Sequence, residues 1–381
     1  MSSEELSKAL GELRDQIDEV DAELVRLLKR RTAITTKVGA LKSQHAMPVY
    51  VPEREKSLIE ARRAQAEDAG VNPDLVEDIL RRMFRESYHS QHASYAKVKG
   101  AVDNVVVIGG RGALGSLFVK LFSQTGYQVD IIDKDDWSQA DQTLSKAQLV
   151  IVAVPINKTI DVIHSLPTLP ADCILADVTS IKQKPLTAML NQHSGPVVGL
   201  HPMFGPDAPG MIRQVVVVCH GQQSESYEWL IAQMELWGAA IYQSTAEQHD
   251  KAMSIIQVMR HFSSFVYGLH LQQENPDLKE LIAFSSPIYR LELAMVGRLF
   301  AQAPELYADI IFQDAKNFAL LENFVSRFQG ALELLKNNDK AGFISAFNEV
   351  SEWFGDYAQQ CLVDSKKMLL KADDSHLLRQ K

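Results

Sequence analysis

The first 47 residues of the chain contain no proline and carry one sustained apolar repeat. From Leu6, the residues Leu10, Leu13, Ile17, Val20, Leu24 and Leu27 follow at alternating steps of four and three, and Ile34, Val38 and Leu41 resume the same phase. That spacing is a heptad seam. With no break before Pro48 it permits one helix of ~38 residues, roughly 57 Å long. A helix cannot bury its own stripe, so this one must fold against a partner. Pro48 and Pro52 end the pattern. The residues then predict a second helix from about Glu53 to Ala69, stopped by Gly70. A third helix runs to near Gln91, with Asn72-Pro73-Asp74 as its N-cap, first position and first-turn acid.

One heptad position departs from the rule. The step after Leu27 lands on Arg31, a cation in an apolar seam. As a structural residue it would set register or snorkel. As a functional one it would face a polar pocket and bind an anion. Lys42 lies three turns on, ~20° round and ~16 Å along the axis, so the two side chains can reach toward one small dianion. Arg14 is ~25 Å before Arg31 and joins the same site only from an antiparallel second copy of the helix. That geometry predicts a dimer whose sites are shared between subunits.

Helix one with LRDQID (13–18) and LLKRRTAITTKVGALK (27–42), then YVPERE (50–55) and RESYHSQ (85–91), resembles the all-helical class of chorismate mutase over residues 4–92. The resemblance implies that Arg14 of the partner chain, Arg31, Lys42 and Arg54 grip the two carboxylates and the ether oxygen of chorismate. It implies that Glu55 takes the substrate hydroxyl and that Ser87 and Gln91 complete the pocket. These residue types suit a pericyclic rearrangement, which needs a dianion folded into a reactive conformer and cations where negative charge grows. Val51 departs from the pattern, standing where some helical mutases carry Asp, and some relatives carry Glu in place of Gln91. Gln donates to the ether oxygen at any pH, so no acid-side optimum is expected. The alternative is a non-catalytic dimerisation coiled coil over residues 1–95, which would have no need for this polar set.

Charge marks a module boundary. The first 100 residues carry 17 basic and 17 acidic side chains, so the whole net charge of −9 falls on the remainder. The seam is read at 95–104, before the strand-like run Val105-Val106-Val107-Ile108. Helical periodicity takes over again near residue 245. An acidic chain argues against nucleic acid as a partner. Three scattered cysteines, Cys173, Cys219 and Cys361, make neither a disulfide framework nor a metal knuckle, so no metal is expected. The polar start MSSEELSKAL and the absence of a long apolar run point to a cytoplasmic protein with no membrane partner.

The second module opens with strand, glycine turn, helix, strand and terminal acid in order: Val105–Ile108, Gly109 to Gly115, a helix ended by Gly126, Gln128–Ile132, and Asp133. This is the dinucleotide-binding pattern. Gly110 is expected to make the tight turn, Gly112 to admit the pyrophosphate, and Gly115 to let helix pack on strand. Arg111, Ala113 and Leu114 belong to the same cofactor-facing loop, with Arg111 given no chemistry. Phosphates sit at the helix N-terminus, and Asp133 accepts the ribose hydroxyls and repels a 2′-phosphate, favouring NAD over NADP. Strand-like runs at 149–155, 173–180, 197–202, 215–219 and 239–243 predict an open, mostly parallel sheet. Ligands bind at the carboxyl ends of such strands, where Pro155, Ser180 with Lys182, and His201 fall. A neutral imidazole suits proton removal from an alcohol near pH 7.

VVIGGRGALG, TSIK (179–182), GLHPMFGP, EQHD (247–250), RHFSSFVYGLHL (260–271) and SSPIYRLELAMVGRLFAQ (285–302) resemble prephenate dehydrogenase over roughly 103–375. The whole chain is thus similar to the bifunctional chorismate mutase–prephenate dehydrogenases of tyrosine biosynthesis. The resemblance implies three domains: an all-helical mutase domain (1–95), a Rossmann-type NAD-binding α/β domain (103–247) and an all-α dimerisation and substrate domain (248–375). It implies that His201 accepts a hydrogen bond from the ring hydroxyl of prephenate, that Arg298 clamps a carboxylate, and that Lys182, Ser180 and His249 support the pocket. Arg290, eight residues before Arg298, is ~80° round the helix and is left unassigned. The family is commonly inhibited by tyrosine. An arogenate-preferring dehydrogenase remains the rival substrate reading.

Overall fold

The computed structural model describes residues 2–90, 95–98, 102–205, 208 and 210–377. The chain forms two compact units, one through His249 and one from Asp250.

The first unit begins with three helices, α1 (Ser3–Gln44), α2 (Pro52–Asp68) and α3 (Pro73–Ser90). A capping box starts α1: the Ser2 hydroxyl accepts the Glu5 N–H, and the Glu5 carboxylate accepts the Ser2 N–H. Asn72 caps α3 by accepting the Asp74 N–H at 2.9 Å, with Pro73 in the first turn. Positive φ at Gly70 (72°) follows the end of α2. Leu6, Leu10, Leu13, Ile17, Val20, Leu24, Leu27, Ile34, Val38 and Leu41 are all exposed on α1 within the single chain.

The helical module is followed by a seven-stranded sheet, β1 (Asn104–Ile108), β2 (Gln128–Ile132), β3 (Leu149–Val152), β4 (Ile174–Asp177), β5 (Val197–Pro202), β6 (Val215–Gln222) and β7 (Ala240–Ser244). Between strands lie α4 (Ala113–Thr125), α5 (Ala140–Leu144), α6 (Ile156–His164), α7 (Gln183–Gln192) and α8 (Glu228–Leu236). The strand order is β2-β1-β3-β4-β5-β6-β7, parallel throughout except for the β5–β6 pair. Both faces are covered, and side-chain alternation sends Val105 and Val107 into one core with Phe118, Phe122 and Trp237. Val106 and Ile108 join the other with Leu144, Ile163 and Met189.

Two strands are shorter than their apolar runs. β3 stops at Val152 because the chain turns toward Pro155, which has no N–H to pair. β4 stops at Asp177 because its carboxylate accepts the Thr179 N–H at 3.0 Å, a local bond that competes with the ladder.

The helical module and the sheet share a core. Val49 and Tyr95 are buried in the cluster that contains Phe118 and Trp237. Gln233 of α8 accepts the Val98 N–H and donates to the Ala96 carbonyl.

The last strand leads into α9 (Ala246–Met253), which crosses into the second unit and continues through a π-turn (Ser254–Met259) into α10 (Arg260–Glu274). The second unit is completed by α11 (Leu278–Phe284), α12 (Pro287–Phe300), α13 (Pro304–Phe312), α14 (Lys316–Lys336), α15 (Lys340–Phe354) and α16 (Asp356–Leu377). It contains an apolar cavity lined by Phe265, Phe300 and Ile311, with the His261 and Tyr307 rings 4.8 Å apart at its wall. Burial there pushes His261 down to about 4. Among the described residues no helix is long and apolar enough to cross a membrane.

Candidate active sites

The helical module folds around a small cavity of about 120 Å³. Arg31 and Lys42 reach it from α1, Arg54 and Glu55 from α2, and Ser87 and Tyr88 from α3, with Val51 also in the wall. Arg31 is the seam's odd residue because it turns into this cavity. Its guanidinium donates to the Ser87 hydroxyl at 2.9 Å and lies 5.6 Å from the Phe84 ring centroid. The Ser87 hydroxyl in turn donates to the Met83 carbonyl at 2.7 Å. Lys42 donates to the Pro48 and Val49 carbonyls at 3.1 and 3.0 Å. An ammonium has three donors, so this pairing leaves capacity for an anion. Partial burial lowers the pKa of both Arg31 and Lys42.

Glu55 is the buried carboxylate of the cavity. Tyr88 donates its hydroxyl to one oxygen, and Arg213, from the turn between β5 and β6, pairs with the other. Burial, reinforced by Tyr50, pushes Tyr88 up to about 12, so it stays a donor over the working pH range. Arg14 is exposed on α1 and is not among the cavity's lining residues. Gln91 lies outside the described residues. The sequence reading missed Tyr88, although RESYHSQ contains it, and Arg213, which has no signal near Glu55 in the sequence.

At the sheet, the register aligns Ile108 with Val152, Val152 with Asp177, and Asp177 with Gly199. The glycine loop, Pro155, Ser180 and Lys182 therefore follow strand ends on one edge, where His201 is the last residue of β5 before Pro202. The positive φ of the tight turn is at Gly109 (82°), one residue before the glycine expected to make it. Gly110 is required for a different reason: a Cβ there would stand 2.8 Å from the Ile131 side chain. A Cβ on Gly115 would collide with the Gly109 carbonyl, so helix and turn pack through bare backbone. Gly112 is the N-cap of α4 and provides no side-chain cap, so the first amides, including those of Ala113 and Leu114, belong to an uncapped helix start. This bare cradle fits a dinucleotide pyrophosphate.

Asp133 follows β2 and accepts the Arg111 N–H at 3.1 Å. The Arg111 guanidinium pairs with Asp136 at 2.5 Å and lies 3.4 Å from Asp133. Arg111 thus has an observed role, bracing the acidic end of β2 against the glycine loop.

His201, near the end of β5, is only 3% exposed, and its Nδ1 lies 2.8 Å from Nε2 of His249 on α9. Lys182 is fully enclosed, its ammonium on Asp177 at 2.5 Å and on the Leu200 carbonyl at 2.7 Å. A Cβ at Gly199 would stand 3.0 Å from the Lys182 stem, which explains the glycine in GLHP. Burial, then the charge of Lys182, then His249 depress the pKa of His201 well below the ordinary imidazole value, so its ring is neutral at pH 7. Ser180 is half-buried and Pro155 exposed at the start of α6. Asp177 escaped the sequence reading although it lies within the 173–180 run, and it ends β4. Arg298 is exposed on α12, and Arg290 of the same helix donates to the Ser285 carbonyl at 2.7 Å. Both belong to the second unit. Among the described residues no group of three His, Cys, Asp or Glu side chains gathers to hold a metal.

Residues 13–92 match the chorismate mutase type II family, 121–239 the prephenate dehydrogenase nucleotide-binding domain, and 245–349 the prephenate dehydrogenase dimerization domain. The glycine loop precedes the second match. The chain is 51% identical to the T-protein of Enterobacter agglomerans over 367 residues, covering 96% of this chain and 98% of that one. It is 48% identical to the T-protein of Haemophilus influenzae over 369 residues, with the same shares. A probable arogenate/prephenate dehydrogenase of Methanocaldococcus jannaschii is 32% identical over 276 residues, 67% of this chain and 62% of that one. Among solved structures, the prephenate dehydrogenase of A. aeolicus in complex with hydroxyphenyl propionate and NAD+ superposes with a TM-score of 0.55 at 17% identity, over 66% of this chain and 97% of that one. At that identity the likeness is one of fold.

Proposed function

We propose, from the premise that this chain belongs to the T-protein family and is both a chorismate mutase and a prephenate dehydrogenase, that its two sites take one ring dianion in turn. The observation that carries the reading is the convergence of Arg31, Lys42 and Arg54 on a cavity that also holds the buried Glu55. A bare coiled coil has no use for that set.

In the first site the cations hold the carboxylates of chorismate and the ether oxygen on which charge grows, while Glu55 accepts the substrate hydroxyl. Ser87 orients Arg31, and Gln91 donates to the ether oxygen. Arg14 comes from a second copy. The ten exposed seam residues of α1 support that copy, since each apolar side chain of this size gains about 1.5 kcal/mol or more on burial. We assign the site to residues 1–95, the cofactor domain to 103–247 and the dimerisation and substrate domain to 248–375 of a cytoplasmic homodimer.

In the second site NAD, when bound, supplies the hydride acceptor. Gly110, Arg111, Gly112, Ala113, Leu114, Gly115 and Pro155 line its seat, and Asp133 accepts the ribose hydroxyls, which favours NAD over NADP. His201 Nδ1 and His249 Nε2 stand 2.8 Å apart, and we assign the shared proton to His201 Nδ1, so that His201 Nε2 serves as the acceptor. That nitrogen takes the hydrogen bond of the prephenate ring hydroxyl as its carbon is oxidised to a carbonyl. Loss of the ring carboxylate as CO2 then yields the aromatic 4-hydroxyphenylpyruvate. Arg298 clamps a carboxylate with a fork that lysine lacks. Lys182, Ser180 and His249 support the histidine, and tyrosine inhibits the enzyme. The substrate is prephenate rather than arogenate.

The test is to supply the full-length protein with chorismate and NAD and follow NADH and CO2. Both should appear after a lag in which prephenate forms. NADH formation from arogenate at a higher kcat/KM than from prephenate would overturn the substrate assignment.

A further inference from the structure

Arg213 leaves the turn between β5 and β6 in left-handed backbone, with φ at 60°. A residue with a side chain keeps that conformation only where its surroundings impose it. Here they do. The Arg213 N–H donates to the Gly238 carbonyl at 2.9 Å, and the Gln214 N–H closes the turn on Met211, which is fully buried. Ile212 packs so tightly on Gly238 that a Cβ there would stand 2.7 Å from it. The sheet's core thus fixes the direction in which the arginine side chain departs.

That side chain ends in the helical module. Its guanidinium carbon lies 5.1 Å from the centroid of the Tyr50 ring, and its terminal nitrogen pairs with Glu55. The Tyr50 and Tyr88 rings meet edge to face at 6.0 Å, and Tyr88 occupies the other Glu55 oxygen. A carboxylate offers about four lone-pair sites, so the two donors leave room for a substrate hydroxyl. Without a cation, a carboxylate this deeply buried neutralises or swings away.

We propose that Arg213 is a positioning residue for the mutase reaction, by which the nucleotide-binding sheet holds Glu55 in its working orientation from outside the helical module. This rests on the role given to Glu55 above. It makes the mutase site dependent on a residue of the other enzyme.

The test uses the full-length chain with Arg213→Ala, Arg213→Gln, Arg213→Lys and Glu55→Gln. Arg213→Ala and Arg213→Gln should lower mutase kcat about tenfold, the scale for breaking a charged hydrogen bond, with KM within about twofold. Arg213→Lys should restore most of the loss. NAD reduction with prephenate should stay at the wild-type rate, and Arg213→Ala should cost nothing further in Glu55→Gln. If Glu55→Gln leaves mutase turnover intact, the site reading itself fails. If Glu55→Gln lowers turnover while Arg213→Ala and Arg213→Gln do not, the inference alone fails. Equal loss of both activities would reduce Arg213 to a fold residue and overturn the proposal.

Discussion

The two sites are built in opposite ways. The helical cavity is gathered from distant pieces: two turns of a long helix, two shorter helices, a turn of the neighbouring sheet, and by our reading a second copy of α1. The sheet site is gathered by one strand edge, where parallel register brings Asp177, Lys182 and His201 together and encloses them. The first holds cations that remain partly or wholly exposed, as a site proposed for a dianion would. The second strips water from its groups and so sets their protonation. A site for positioning alone can be assembled across modules, whereas one that must keep an imidazole neutral needs a continuous dry wall.

The sharpest break of that contrast is Arg31→Ala. Mutase kcat/KM should fall about 10²–10³-fold, as for loss of a donor to developing charge, while NAD reduction with prephenate is unchanged. Mutase assays on the variant check it, and retained turnover would remove Arg31 from the site. Next, Ile17→Asp with Leu24→Asp puts charge into the exposed seam. It should cut mutase activity by about 10²-fold through loss of the partner's Arg14 and leave the dehydrogenase intact, which paired assays on one sample would reveal. Gly110→Ala drives a methyl group toward Ile131 and should raise KM for NAD about tenfold, some 1.4 kcal/mol, without touching the mutase. A titration of initial rate against NAD measures it.

The smallest effect concerns protons. In the proposed mechanism His201 acts as a neutral imidazole, and its pKa lies low, so dehydrogenase kcat/KM should hold as pH falls through ~6.5 and drop only below it. Removing the buried pair with Asp177→Asn and Lys182→Met takes away a positive neighbour. The acidic limb should then move up. A limb already at or above pH 6.5 in the wild type would contradict the burial argument.

Much of the sheet was legible because its signals are local. Strand, glycine turn and helix follow one another within 28 residues from Val105 to Ile132, and the helix ends where Gly126 predicts. Strand ends were overestimated where Pro155 and the Asp177 side chain stop the ladder, effects that apolar runs do not record. The turn was misplaced by one residue because four glycines in seven positions look alike in sequence, and only the backbone singles out Gly109 as left-handed. The helical cavity was readable from Arg31 because a cation in a heptad seam is a local anomaly. Arg213 was not, since its partner lies in another module and its left-handed turn is imposed by Gly238. Lys182 was read as pocket support, yet its complete burial could not be inferred from TSIK, which gives no sign of Asp177 as its partner.

The most direct measurement is on full-length His201→Gln given chorismate and NAD. If one chain holds two separate pockets for the same dianion, chorismate should disappear at the wild-type rate while prephenate accumulates and no NADH appears. Continued NADH formation, or loss of chorismate turnover together with it, would contradict that claim.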